Sequence, residues 1–274
     1  MKPASFEYHR PATVEEAVGL LSELGDDAKV IAGGQSLIPV LAMRLAVFEH
    51  LIDVGRLTEL HGIEERGDSV WIGAAVTESE VGRSRLVARR VPLVSRATPL
   101  IGHFQIRNRG TIGGAIAHAD PSAEYPAVAL TLGATLETLS PRGPRSIPAL
   151  DFFTGIWQTA LEPDELLTGI TFPRAIPHQG FAIEEFARRP GDFAVAGAAV
   201  ALEITNSGGQ ERIRSRIGLF GLASTPVLVD SAARIAGLDA VPSDLHGTAD
   251  YRKKVATIMV ERAWQRALRE ARNG

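Results

Sequence analysis

Two glycine clusters constrain the fold of this chain more than any other feature of its sequence. Gly33-Gly34 follows a short predicted strand at 29–32, and a second cluster, Gly-Thr-Ile-Gly-Gly, occupies residues 110–114. A Gly-Gly pair alone is more often a simple turn that needs positive φ than a phosphate-binding loop. Each cluster, however, is flanked by a hydroxyl residue, Ser36 or Thr111. Together they can present backbone N–H groups to one pyrophosphate from two sides, which favours a dinucleotide held between two loops.

Other common catalytic and nucleotide-binding motifs are missing. Neither cluster matches GxGxxG, and no GxxxxGK[ST] occurs, which disfavours ordinary nicotinamide domains and P-loop proteins. The seven histidines include no HExxH and no pair at i,i+3 or i,i+4 spacing, so no metal site is predicted. A hydrolase is poorly supported because there is no GxSxG elbow.

Charge and cysteine content exclude several function classes. The net charge of -3 offers no basic excess for nucleic acid or an anionic membrane surface. The longest nearly apolar stretch, 29–43, is shorter than the roughly 20 residues that a membrane span needs. The N-terminal residues lack the apolar core of a secretory signal, so a cytoplasmic location is expected. Since the chain has no cysteine, any iron-sulfur cluster must belong to another chain.

Short helices and strands alternate through the first 175 residues. Capping boxes at 13–16 and 77–80 predict helix starts, and Ser36 is the expected cap of a short helix ending at Met43. A further helix is predicted at 121–132, with Pro121 at an early position. Strands are predicted at 29–32, 50–54, 69–74, 135–139 and 166–172.

The Pro-containing segment 173–179 interrupts all periodicity and is the predicted domain boundary. Three strands are expected beyond it, with a hairpin turn at 206–209 between the second and the third. These strands cover 181–187, 195–205 and 213–221. Helices are predicted at 227–236 and 251–272, the latter with Val255, Ile258, Met259 and Ala263 on one face.

Two polar segments near the second glycine cluster have alternative interpretations. His118-Ala119-Asp120 is as compatible with a polar turn capping the next helix as with a cofactor contact. Arg107 and Arg109 can pair with a phosphate or with carboxylates of a partner, but a solvated charged turn is the commoner outcome for such residues.

Three ordered motifs carry a family resemblance that covers essentially the whole chain. AGGQSL (32–37), QIRNRGTIGGAIAHADPSAEYPA (105–127) and ARRPGDFAVAGAAV (187–200) resemble the flavoprotein subunits of molybdenum hydroxylases, of the carbon monoxide dehydrogenase medium-subunit and xanthine dehydrogenase type. The resemblance implies an α+β fold. An FAD-binding domain of the vanillyl-alcohol-oxidase (PCMH) type, residues 1–175, would have lobes at about 1–55 and 56–175. A smaller C-terminal domain, 176–274, would carry a three-stranded antiparallel sheet and helices.

The resemblance also implies FAD as the cofactor and assigns residues to it. Residues around the first cluster would wrap the diphosphate: Ile31, Ala32, Gly33, Gly34, Gln35, Ser36 and Leu37. The second side would be lined by Thr111, Ile112, Gly113, Gly114 and Ala115. Glu124 would lie near the ribityl and adenosine portion, and Ile101 and Leu167 would be apolar contacts. Asp192 and Phe193 lie in the loop that approaches the isoalloxazine in the family. No side chain is expected to act as a catalytic group or a metal ligand.

The sequence departs from the family pattern at three places. Gln35 stands where the carbon monoxide enzyme has His, and Ala115 where Asp or Asn is usual. Glu184-Glu185 occupies the place where relatives offer a Lys that can approach the flavin. Because nearby charges tune a flavin, this last difference bears on the redox potential.

The resemblance implies an electron-transfer subunit. Electrons from a molybdenum centre in a large subunit would pass through iron-sulfur clusters of a small subunit to FAD and then to an external acceptor, in a dimer of such heterotrimers. Two alternatives stay open. One is a stand-alone flavin oxidase or reductase of the same fold, and the other is a non-enzymatic binding module that has lost the cofactor.

Overall fold

The chain has a mixed α+β fold in a computed structural model that describes residues 2–207 and 210–273. The strands are β1 (Glu7–His9), β2 (Ala28–Ile31), β3 (His50–Asp53), β4 (Ile63–Arg66), β5 (Ser69–Gly73), β6 (Thr135–Ser140), β7 (Gly143–Pro148), β8 (Phe153–Gly155), β9 (Gln158–Thr159), β10 (Leu166–Pro173), β11 (Gln179–Phe186), β12 (Ala196–Ser207), β13 (Gln210–Phe220) and β14 (Val227–Val229). The α-helices are α1 (Val14–Leu24), α2 (Leu37–Ala42), α3 (Glu78–Arg83), α4 (Arg85–Arg90), α5 (Pro92–Ala97), α6 (Phe104–Arg107), α7 (Ile112–His118), α8 (Glu124–Leu132), α9 (Ala149–Phe152) and α10 (Ala249–Asn273). Short 3-10 helices lie at Gly25–Asp27, Thr58–Leu60, Thr98–Leu100 and Ala232–Gly237.

A parallel sheet of order β1-β3-β2 opens the chain, and α1 packs on it. The apolar stripe of α1 buries Ala17, Val18 and Leu21 in one core with Ile52 of β3. The Thr13 hydroxyl caps α1 by accepting a hydrogen bond from the Glu16 N–H at 3.2 Å. The predicted capping box is only half formed, because the Glu16 carboxylate accepts from the Ala12 N–H at 2.6 Å instead of closing on Thr13.

An antiparallel sheet of order β4-β5-β10-β6-β7 forms the second layer. The pairing of β10 with β6 shifts register between Leu167 and Gly169, and Gly169 pairs on its other side with Gly73, the last residue of β5. Helix α8 contacts β10 on one side and β12 and β13 on the other. All residues of α8 from Glu124 to Thr131 are buried, as expected for a helix enclosed between two sheets.

A third sheet, of order β11-β12-β13-β14, packs against the long helix α10. Strands β12 and β13 pair as an antiparallel hairpin from Gly197↔Phe220 to Ser207↔Gln210, as the sequence predicts. The predicted turn residues Gly208 and Gly209 lie outside the described residues. A separate two-stranded ribbon is formed by β8 and β9.

Three sequence predictions need correction. The helix expected at 227–236 is instead β14, which pairs with Ile217–Leu219, followed by a 3-10 helix, so this sheet has four strands rather than three. Helix α8 begins at Glu124, not Pro121, because Asp120 forms a turn in which its carboxylate accepts the Ser122 N–H at 2.8 Å. On α10, Ile258 is 45% exposed although the other three predicted face residues are buried.

Candidate cofactor site

The two glycine clusters meet backbone to backbone. A Cβ on Gly33 would lie 2.0 Å from the carbonyl oxygen of Arg109 and 2.8 Å from the Cα of Gly110. Real Cβ atoms do not come so near to backbone, so only glycine fits this position. The sequence-predicted pairing of the two clusters is therefore a direct contact in the fold.

The second cluster is held in place by the segment that follows β5. The Gly110 carbonyl accepts the Glu78 N–H at 2.8 Å, and the Ile112 N–H donates to the Val76 carbonyl at 3.0 Å. A Cβ on Gly113 would lie 2.5 Å from the Cβ of Ala74, so α7 begins in close contact with the end of β5. These contacts fix the position of the loop relative to the second sheet.

The flanking hydroxyl residues play different roles. Thr111 is the N-cap of α7, and its hydroxyl accepts a hydrogen bond from the Gly114 N–H at 3.0 Å. Ser36 stands at the N-cap position of α2, but its side chain makes no capping hydrogen bond and its backbone is already helical, at φ -93° and ψ -46°. The predicted capping role of Ser36 is therefore wrong. Gly34 supplies the turn before α2 with a φ of 71°.

The two loops differ in their exposure to solvent. Residues 31–37 are all half-buried, and in the second cluster Gly114 is exposed and Ala115 half-buried, whereas Ile112 and Gly113 are buried. The Gln35 amide donates to the Gly33 carbonyl at 3.0 Å, so this side chain folds back onto its own loop. In the second loop, the N–H groups of residues 112–115 already donate to acceptors of the protein, whereas the first loop keeps the larger accessible surface.

A further set of predicted residues lies around the loop 98–103. The Arg107 guanidinium donates to the carbonyls of Ile101 at 2.8 Å and Gly102 at 2.7 Å, a structural role that none of its three predicted interpretations contained. A Cβ on Gly191 would lie 3.0 Å from the His103 ring, so the loop carrying Asp192 and Phe193 packs against this segment.

The remaining predicted residues differ in burial. Phe193 is 62% exposed and Asp192 is also exposed, while Ile101 is half-buried. Leu167 is buried within the core of the second sheet. Glu124 is buried at the first residue of α8. The structure thus places the 191–193 loop against the segment that follows Ile101, whereas Leu167 is buried in the core.

Three carboxyl groups on different elements are shielded from water: Glu78 and Glu124 are buried, and Glu185 is half-buried. Burial raises the pKa of Glu78 to about 7, an effect that the Arg107 charge partly offsets. Burial and then the charge of Glu185 raise the pKa of Glu124 to about 8, and burial raises that of Glu185 to about 7. Among the described residues, Oε2 of Glu78 and Oε2 of Glu185 are buried with no hydrogen-bond partner. Sequence reasoning missed Glu78, whose only signal was its place inside a capping box.

These features fit FAD. The contact that only glycine allows joins the two loops, and residues 31–37 of the first loop remain partly accessible, as a loop that receives a diphosphate must be. Buried polar oxygens without a partner indicate that a ligand completes the site, because native proteins rarely leave such groups unsatisfied.

The polar segment after α7 forms a turn. Oδ2 of Asp120 accepts the Trp157 indole N–H at 3.2 Å, and the His118 ring stacks on that of Trp157 with centroids 6.3 Å apart. Burial lowers the pKa of His118. Together with the hydrogen bond to Ser122, these contacts account for Asp120 as a turn-forming residue.

Two other features are explained by their own contacts. Ligand atoms of Glu7, His9 and His50 lie within 4.8 Å of one another, but the two histidines share a hydrogen bond of 3.0 Å. A surface cavity of about 740 Å³ is lined by charged residues that already pair, among them Arg142 with Asp164 at 2.6 Å. Within the described residues, no helix combines the length and apolar character needed to cross a membrane.

Comparison with known proteins shows the family of this chain. Residues 4–175 match the family model described as the FAD binding domain in molybdopterin dehydrogenase. The carbon monoxide dehydrogenase medium chain of Afipia carboxidovorans is 40% identical, over 100% of both chains. A solved structure of reconstituted CO dehydrogenase from Oligotropha carboxidovorans gives a TM-score of 0.93 at 40% identity, covering 98% of this chain and 99% of that one.

Similarity extends to an enzyme with another named substrate. The structure of quinoline 2-oxidoreductase from Pseudomonas putida 86 matches with a TM-score of 0.89 at 35% identity, covering 99% of each chain. The chain therefore belongs to the family of FAD-binding domains of molybdopterin dehydrogenases, the flavoproteins of molybdenum hydroxylase oxidoreductases, and its cofactor is FAD.

Proposed function

We propose that this chain is the electron-transfer subunit of a molybdenum-containing dehydrogenase, taking electrons from iron-sulfur clusters of a partner and passing them to an external acceptor. The observation that carries the proposal is the contact between Gly33 and the Arg109 carbonyl, which builds a cofactor cradle in a chain that has no cysteine. When bound, FAD supplies redox chemistry that can exchange one and two electrons. The chain's own residues bind and orient it.

We assign the binding roles that the family resemblance implies. Backbone of 31–37 and 111–115 would hold the diphosphate, with Thr111 fixing the second loop through the Gly114 N–H. Ile101 and the loop at 192–193 would lie against the flavin, supported by their packing around Gly102. Glu124 would lie near the ribityl and adenosine portion, and Leu167 would support the site from the core.

The proposed partners are a small iron-sulfur subunit and a large molybdenum subunit, in a dimer of heterotrimers in the cytoplasm. Large apolar side chains are exposed on the segments next to both glycine clusters and on the 192–193 loop: Ile38, Met43, Leu45, Val47, Phe104, Ile106 and Phe193. Exposed apolar groups of this kind mark interaction surfaces. A permanent complex would bury about 2,000 Å² or more in such an interface.

We also propose that residues 1–175 form the FAD-binding domain, with lobes at about 1–55 and 56–175, and that 176–274 form a second domain. The support is that each of the three larger sheets draws all its strands from one of these segments.

Co-expression with the two partner subunits tests the function. The complex should lose its visible flavin absorbance when the large subunit's substrate is added, while the isolated FAD-loaded chain should not respond to that substrate. Turnover of an organic substrate by the isolated chain at roughly 1–10³ s⁻¹ would contradict the proposal and favour a stand-alone oxidoreductase.

A further inference from the structure

Three carboxyl groups on separate elements lie near one another, and one of them contacts the second glycine cluster. Glu78 begins α3, Glu124 begins α8, and Glu185 is on β11. A Cβ on Gly110 would lie 2.9 Å from Oε2 of Glu78, so this carboxyl is in contact with the loop itself. The negative charges of Glu185, Glu78 and Asp120 all act on Glu124, which places the acids close enough to influence one another.

Little positive charge compensates this group. Arg107 is the cation that acts on Glu78, and it is already engaged, since its guanidinium donates to the Ile101 and Gly102 carbonyls. The neighbouring Glu184 forms an ion pair with Arg266. Because successive side chains of a strand point to opposite faces of the sheet, this ion pair lies on the other face from Glu185. The charged groups that act on these carboxyls are therefore mainly other acids, and the Arg107 charge offsets only part of the effect of burial on Glu78.

Two of the acids have one carboxyl oxygen, Oε2, buried without a hydrogen-bond partner, which leaves the other oxygen, Oε1, to face a ligand. Glu78 is only 4% exposed, and its Oε2 has no hydrogen bond among the described residues. Oε2 of Glu185 is buried and unpaired in the same way. An ionised carboxylate in such a place costs free energy, whereas a protonated carboxyl can donate one hydrogen bond and accept others.

We propose that Glu78 and Glu185 act as neutral acids that donate hydrogen bonds to acceptor atoms of bound FAD, so that FAD binding at alkaline pH takes up protons. The inference rests on the proposed location of the cofactor between the two glycine loops. Glu124 is affected in turn, because the Glu185 charge disfavours charge on Glu124.

The direct test is calorimetric titration of the FAD-free full-length chain with FAD at pH 6 and pH 8, in buffers of different ionisation enthalpy. At pH 8 we expect uptake of one to two protons per FAD, and at pH 6 close to none, because both acids then already carry a proton. The apparent Kd should rise by up to roughly tenfold per pH unit for each proton taken up.

Glutamine variants assign the protons. Glu78→Gln and Glu185→Gln keep a neutral donor of similar size, so each should bind FAD with a smaller proton uptake, and the double variant should bind with none. Glu184→Gln, at the adjacent residue that pairs with Arg266, is the matched control and should behave as the wild type.

The results that would contradict the proton uptake differ from those that would contradict the cofactor site. Stoichiometric FAD binding without proton uptake at pH 8 overturns this inference and leaves the cofactor site intact. The same uptake in the double glutamine variant also overturns it, as does loss of FAD binding in that variant at both pH values. A wild-type chain that binds no FAD would instead overturn the proposed site.

Discussion

Gly33 faces the carbonyl oxygen of Arg109 so closely that a single methyl group at Gly33 would lie 2.0 Å from that oxygen. The two residues are far apart in the chain and belong to two loops, one after the parallel sheet and one before α7. Their contact joins the loops into one cradle, and it makes Gly33 a position at which geometry alone decides the residue type.

The cap of α7 gives the first prediction. Thr111→Val removes the acceptor of the Gly114 N–H and should lower the free energy of unfolding by about 1–2 kcal/mol, whereas Thr111→Ser should keep most of that stability. Urea denaturation of the FAD-free variants measures both. Equal losses in the two variants would show that the hydroxyl does not act as a cap.

A second prediction concerns pH. A carboxyl whose pKa is raised on folding holds a proton that the unfolded chain releases, so Glu78, with a pKa of about 7, should make the FAD-free chain less stable as pH rises from about 5 to 8. Glu78→Gln should therefore gain on the order of 1–3 kcal/mol at pH 8 and almost nothing near pH 4. Stability curves from denaturant titrations at each pH would contradict this if the gain were independent of pH.

The third prediction addresses the C-terminal region. The buried Arg252 guanidinium donates to both carboxylate oxygens of Asp244 at 2.7 Å and to the Val195 carbonyl at 2.7 Å. Arg252→Met leaves the buried carbonyls of Val195 and Gly221 unpaired, while the half-exposed Asp244 carboxylate is hydrated, and should cost about 1–3 kcal/mol. Arg262→Met, at an exposed position of the same helix, is the control and should stay within about 0.5 kcal/mol of the wild type. Similar losses in both variants would refute the assignment.

The fourth prediction is that FAD is bound without a covalent bond. The chain has no cysteine, and the buried side chains that the site brings together are carboxyl groups, which points to polar contacts as the means of attachment. Acid precipitation of the loaded protein should release all the yellow colour into the supernatant. Flavin that stays with the pellet would contradict the prediction, and His103→Ala would then test the histidine beside the 191–193 loop.

Local patterns predicted much of the fold. Thr13 and Thr77 mark true helix starts, and the β-rich runs beyond residue 180 form the expected hairpin. The errors occur where tertiary pairing overrides local propensity. Val227–Val229 has apolar spacing that suits a helix, but β13 offers it a sheet edge to extend.

The cofactor site was predictable to different degrees. The glycine clusters indicated that two backbone segments approach each other closely. Which glycine makes the contact depends on the packing of distant segments, and it is Gly33, not Gly34 or Gly114, that meets the backbone of the other loop. Glu78 and Glu185 were not predictable as a group, because they come from elements more than a hundred residues apart and nothing local marks a carboxyl as buried.

Titration of the FAD-free chain with FAD, followed by quenching of flavin fluorescence, tests the central claim most directly when wild type is compared with Gly33→Ala and Gly19→Ala. A Cβ at Gly19, within α1, would meet no atom within 4 Å. The account predicts one FAD per chain for the wild type and for Gly19→Ala, and an affinity at least tenfold weaker for a folded Gly33→Ala. Unchanged stoichiometry and affinity in Gly33→Ala would contradict the proposal that FAD lies between the two glycine loops.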